Sequence, residues 1–149
     1  MGDATTSLEK KDYGRTVDLL DTWSRETPNS ELSDVRQYYY MQAYNGLRQP
    51  AKVVETASRL FSPRRQQTLD PQRTLAALYL ASVSAASLPA PNRDQIATGR
   101  RAAQSILQSA PAYFTPANRP EPVSESDWNK ARDELMATAS SVLLTMNGK

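Results

Sequence analysis

Apolar residues along this chain recur at helical spacing, and polar or proline-containing breaks divide them into six segments. Tyr13, Val17, Leu20 and Trp23 fall on one stripe while Asp18, Asp21 and Arg25 fall elsewhere, which predicts a helix over about residues 12–26. Pro28 with Asn29-Ser30 marks its stop. A second helix is predicted from residue 31 or 34 to 45. Tyr40, Ala43, Tyr44 and Leu47 recur there at i, i+3, i+4 and i+7, the spacing of a buried face. Tyr38, Gln42 and Asn45 recur at i, i+4 and i+7 on a different face. Gly46 reads as a stop, because glycine takes left-handed backbone angles without penalty. Pro50 then suits the first turn of a third helix, which carries Val53, Ala57, Leu60 and Phe61 on one side and ends before Ser62-Pro63.

Beyond the basic turn Arg64-Arg65, Asp70-Pro71 is an N-cap followed by proline at the first helical position. It opens a fourth helix over about residues 71–87, rich in small side chains such as Ala77, Ala81, Ser82 and Ala85 that let helix axes approach closely. Leu88-Pro89-Ala90-Pro91 is a breaker and Asn92 caps a fifth helix, with Ile96, Ala103, Ile106 and Leu107 on its stripe up to Pro111. Four prolines between residues 111 and 123 predict an extended loop, pinned by Tyr113 and Phe114. Ser124 with Asp127 resembles a capping box. The sixth helix places Trp128, Ala131, Leu135, Ala139, Val142 and Met146 on one face. Residues 1–8 are polar and read as a loose terminus. The expectation is one all-α domain over residues 1–149, with about six antiparallel helices and no strands.

The spacing of the breaks adds a period. Pro28 and Pro63 lie 35 residues apart, and the turns at Asp12-Tyr13 and Gln49-Pro50 lie 37 apart. Asp12-Tyr13, Thr16-Val17, Leu20, Trp23 and Pro28 resemble the second half of a tetratricopeptide motif, whose period is about 34 residues. Residues 37–61 are similar to a degenerate whole repeat through Tyr40, Tyr44, Val53-Val54, Ala57 and Leu60, departing from it at Gln37 and Met41. Gly99, Ala103, Ile106 and Pro111 fit more sparsely. The resemblance covers about residues 9–111 and implies an α-solenoid of three helix pairs, the first incomplete. It also implies that the two ends are cuts within repeats of a longer protein, or else that the last helix is a terminal cap. Stacks of this kind bind partners on the concave surface lined by the first helix of each pair. Carried onto this chain, the groove positions are Tyr38, Gln42 and Asn45, where the amides could pair with an extended peptide and the tyrosine pack on its side chains. The alternative for the same stripe is a merely polar outer face.

Composition narrows the chemistry. The chain has no cysteine and no histidine, which excludes disulfides, thiol nucleophiles, Cys/His zinc sites and Ser-His-Asp triads. Its glycines are isolated, so no phosphate-cradling loop or dinucleotide fingerprint is present. The carboxylate pairs Asp133-Glu134 and Glu125/Asp127 read as solvated helix surface and cap, since paired-carboxylate hydrolysis needs them across a cleft. No enzyme activity, cofactor or metal is expected. No apolar run reaches the ~20 residues of a membrane span, and Met1-Gly2-Asp3-Ala4 does not resemble a signal peptide.

Net charge is +2, distributed unevenly. Residues 48–101 hold nine basic and three acidic side chains, whereas residues 1–47 hold five basic and eight acidic. Arg64, Arg65, Arg100 and Arg101 form a candidate basic patch for an acidic partner. The run Tyr38-Tyr39-Tyr40 suggests base stacking, but successive helical residues point about 100° apart and cannot make one platform. The favoured expectation is therefore a binding scaffold for a protein or peptide. A module that packs within a longer chain or self-associates comes second, and nucleic-acid binding through the basic middle third.

Overall fold

A computed structural model of the chain describes residues 2–149, and Met1 lies outside the described residues. Seven α-helices follow one another: α1 (Gly2–Glu9), α2 (Tyr13–Glu26), α3 (Ser33–Gly46), α4 (Pro50–Leu60), α5 (Pro71–Ser87), α6 (Arg93–Tyr113) and α7 (Glu125–Asn147). Among the described residues no strand is present and no helix is long and apolar enough to cross a membrane.

The additional helix is α1, where a loose terminus was expected. Asp3 stands in its first turn, a favourable place for negative charge, and the Thr6 hydroxyl donates to the Gly2 carbonyl at 2.9 Å. Ala4 and Ser7 are buried, and Ala4 joins Leu20 and Tyr40 in a small core with Val17, Leu19 and Trp23 around it. Small side chains make this contact by close approach, so the segment lacks the bulky stripe that announces an amphipathic helix.

Side chains close the helix starts. Asp12, Asp70 and Ser124 each accept from the backbone N–H three residues on. The full reciprocal capping box is not at Ser124 but at Asn92, whose side chain accepts from Gln95 N while the Gln95 side chain accepts from Asn92 N.

The turn after α3 also differs from expectation. Gly46 is the last helical residue and has no left-handed angles; Arg48 takes them, at φ 58°. Gly46 is small for another reason: a Cβ there would run into the ring of Tyr13 at the start of α2. Lys11, between α1 and α2, has the same φ of 58°. At the first turn Lys11 N donates to Leu8 O and Asp12 N to Ser7 O. At the second, Arg48 N donates to Asn45 O and Gln49 N to Tyr44 O. The two hairpins thus reverse the chain through the same hydrogen bonds.

Each helix packs on the next in sequence, and further contacts join α1 to α3, α3 to α5, α5 to α7 and α4 to α6. The main core runs from α3 to α7, with Met41, Val53, Leu60, Ile106 and Met146 fully buried. Each such side chain contributes about 1.5–3 kcal/mol relative to exposure. The small residues of α5 do bring helices close. Gly99 of α6 lies against Ala85 of α5 and Met146 of α7, and a Cβ on it would stand 2.6 Å from Ala85 Cβ. Some expected core positions are not buried: Leu47 is 38% exposed, Tyr44 is half-buried and Ala131 is exposed.

The proline-rich segment is shorter as a loop than expected. Helix α6 continues through Pro111 to Tyr113, and Pro116–Asn118 forms a 3₁₀ turn. Phe114 N donates to Ala110 O, so the ladder resumes past the bond that proline cannot make. Phe114 and Tyr113 pack on Trp128 with ring centroids 4.6 and 5.7 Å away, and Trp128 Nε1 donates to Thr115 O at 2.9 Å. That aromatic knot ties the loop to the start of α7.

Candidate binding surface

Helix α3 turns two different stripes to its surroundings. On one, Tyr40 is buried at 9% exposure, its hydroxyl donating to Asp21 Oδ1 at 2.6 Å and lying 3.1 Å from Ser24 Oγ on α2. Its ring stacks on Tyr44, with centroids 5.8 Å apart. Burial, reinforced by the bond to Asp21, pushes the Tyr40 phenol up to about 12. This stripe fastens α3 to α2.

The other stripe carries the three sequence-assigned positions. Gln42 Nε2 donates to the Tyr38 hydroxyl at 3.1 Å, one helical turn away, so these two are brought together. Both are partly buried, while Asn45 is exposed and its side chain has no hydrogen bond among the described residues. Tyr38 also packs against the main core, and its ring lies 6.1 Å from that of Tyr39. Burial raises the Tyr38 phenol, and the positive charge of Arg73 on α5 opposes that rise. The stripe therefore borders the start of α5. The same helix leaves Tyr79 42% exposed, a residue the sequence reading passed over because the run from Thr74 to Ala90 is too evenly apolar to single out one side.

The first turn of the same helix holds a latch that sequence reasoning missed. Asp34 is 3% exposed and accepts from Arg65 Nη2 at 2.6 Å, Thr68 N at 2.7 Å and Thr68 Oγ1 at 3.0 Å. Burial works against its charge. The bonds from Arg65 and Thr68, with the Arg65 charge, outweigh that and hold its carboxyl below the ordinary 3.8. The α4–α5 loop is thereby pinned to the first turn of α3. Nothing local in the sequence pairs residues more than thirty positions apart.

The four arginines of the candidate basic patch are not equivalent. Arg65 is committed to Asp34, and Arg100 Nε donates to Asn147 Oδ1 at 3.1 Å, bridging α6 to α7. Arg64 and Arg101 are exposed and have no side-chain partner among the described residues. The patch is thus two structural side chains and two available ones. Trp23 carries a further guanidinium: Arg36 is buried 5.1 Å from its ring centroid and donates to Thr27 O and Pro28 O, closing the end of α2.

Among the described residues no group of three or more carboxylates lies together in a way that could hold a metal ion. Asp133 and Glu134 pair with Arg132 at 3.0 Å and Lys130 at 3.9 Å on the surface of α7. The α3 stripe offers a hydrogen-bonding amide, a phenol and an exposed asparagine amide, and α5, whose start it borders, carries the exposed phenol of Tyr79; these groups can make polar and aromatic contacts. Comparison with family models, curated proteins and solved structures finds no match to this chain.

Proposed function

We propose that the chain is a non-catalytic protein-interaction scaffold of tetratricopeptide-like architecture, with hairpins α1–α2, α3–α4 and α5–α6 stacked in order and α7 beginning the next. In this reading the odd-numbered helices form a concave wall, and an extended peptide or protein segment docks there on Tyr38, Gln42, Asn45 and Tyr79. The observation that carries it is the contact pattern: α1 touches α3, α3 touches α5 and α5 touches α7. The identical turns at Lys11 and Arg48 support the repeat. An exposed phenol and an exposed amide on such a wall favour recognition over core packing. Affinity capture with this chain, compared with a Tyr38→Ala/Asn45→Ala version, tests the reading. A partner recovered by the first and lost at least tenfold by the second supports it, and an unchanged partner set overturns it.

A second reading has one observation of its own. Leu144 on α7 is 77% exposed, and a second copy or another part of a longer chain that covered it would remove a large apolar side chain from water. Under this reading sedimentation velocity shows concentration-dependent association, and Leu144→Glu abolishes it. A monomer at all concentrations removes self-association.

A further inference from the structure

On the side formed by the even-numbered helices, α4 and α6 part over a cleft of about 290 Å³. Its apolar lining comes from Ala57 of α4 and Phe61 just past its end, with Leu78 and Ala81 of α5, and Arg101 and Gln104 of α6 stand among its polar lining. We propose that this cleft docks an acidic peptide segment through one aromatic or aliphatic anchor side chain, independently of the α3–α5 face. Three observations lead there. The volume lies at the lower limit for small-molecule sites, so it suits a single side chain better than a cofactor. Among the described residues Arg101 is exposed and unpaired at the cleft, and Arg64, also exposed and unpaired, directly follows the lining residue Pro63. No carboxylate lines this cleft, although the chain carries 16 of them. A desolvated anchor beside unpaired guanidiniums selects apolar side chains flanked by Asp or Glu.

The test uses fluorescein-labelled acidic peptides with a single central Phe, Leu or Trp, titrated into the full chain and followed by anisotropy. At least one binds saturably, weakens at least tenfold when its anchor becomes Ala, and weakens similarly with Arg101→Glu. Because Arg101 is exposed and has no side-chain partner among the described residues, that variant keeps the fold, which circular dichroism checks. Ser105→Trp, at a further lining residue of α6, fills the cleft without altering charge and also reduces binding, whereas Lys130→Ala, which removes a cation of α7 outside the cleft, leaves it unchanged. Saturable binding by none of the peptides overturns the proposal. So does equal binding of the Ala-anchor peptide, which marks bare charge attraction, or binding of decanoate alone, which marks a fatty-anion site.

Discussion

Lys11 and Arg48 lie 37 residues apart, share a φ of 58°, and close their turns with hydrogen bonds at the same relative positions. Neither residue is of a type that favours left-handed angles. Both turns deliver the chain into a new helix, at Tyr13 and at Pro50. The shared geometry places α1–α2 and α3–α4 under one local rule.

Glycine at either turn position relieves the left-handed cost. Lys11→Gly and Arg48→Gly are each expected to raise stability by about 0.5–1 kcal/mol, after allowing for the greater freedom of glycine in the unfolded chain. Arg48→Val is expected to lower it by about 1–3 kcal/mol, since a β-branched side chain tolerates these angles worst. Urea midpoints of the variants check both signs.

The contact of Gly46 with Tyr13 predicts a reversal of sign. Alanine normally improves a helix by about 1 kcal/mol over glycine, but here its Cβ would displace the Tyr13 ring. Gly46→Ala is expected to destabilise the wild type and to stabilise a Tyr13→Ala background. A double-mutant cycle by chemical denaturation reads the difference.

Gly99 has less room to yield. Its neighbours are Ala85 Cβ, fixed to backbone, and Met146 within a fully buried position. Overpacking there costs about 1–3 kcal/mol and outweighs the gain in helix propensity. Gly99→Ala is therefore expected to lower the thermal midpoint, and adding Met146→Ala does not restore it, because the Ala85 contact remains.

The Asp34 latch predicts a pH dependence. A carboxyl held below its unfolded value of about 3.8 contributes stability that is present above that value and is lost as pH falls through the lower folded one. Asp34→Asn is expected to cost about 1–3 kcal/mol at neutral pH. Between about pH 5 and pH 3 the wild type should lose more stability than the variant, narrowing the gap. A gap that is constant with pH would show that the carboxylate charge does not matter.

Helices with bulky stripes and clear caps were legible from the chain alone. Pro71–Ser87 matches the sequence reading at both ends, because Asp70 and Pro71 set its start and Leu88-Pro89 its stop. Helix α1 was not legible, since its buried face is Ala4 and Ser7, whose worth lies in closeness rather than apolar bulk. The end of α6 was misread because a proline two residues before the end of a helix removes one bond without ending the ladder. The stripe of Tyr38, Gln42 and Asn45 was visible as spacing. Its border on α5 and the Asp34 anchor in the same helix needed three dimensions, as the partners come from distant sequence. The basic patch was legible as composition only, and the fold divided it between internal bonds and the cleft beside Arg101.

The proposed docking of a partner on the α3–α5 face is open to direct spectroscopic test. Side-chain amide and tyrosine-ring NMR spectra are recorded on the chain before and after addition of a captured partner segment. Shifts are expected at Gln42, Asn45, Tyr38 and Tyr79, with the Tyr40 ring and its bond to Asp21 undisturbed. Saturable binding that leaves all four of those residues unshifted would contradict it.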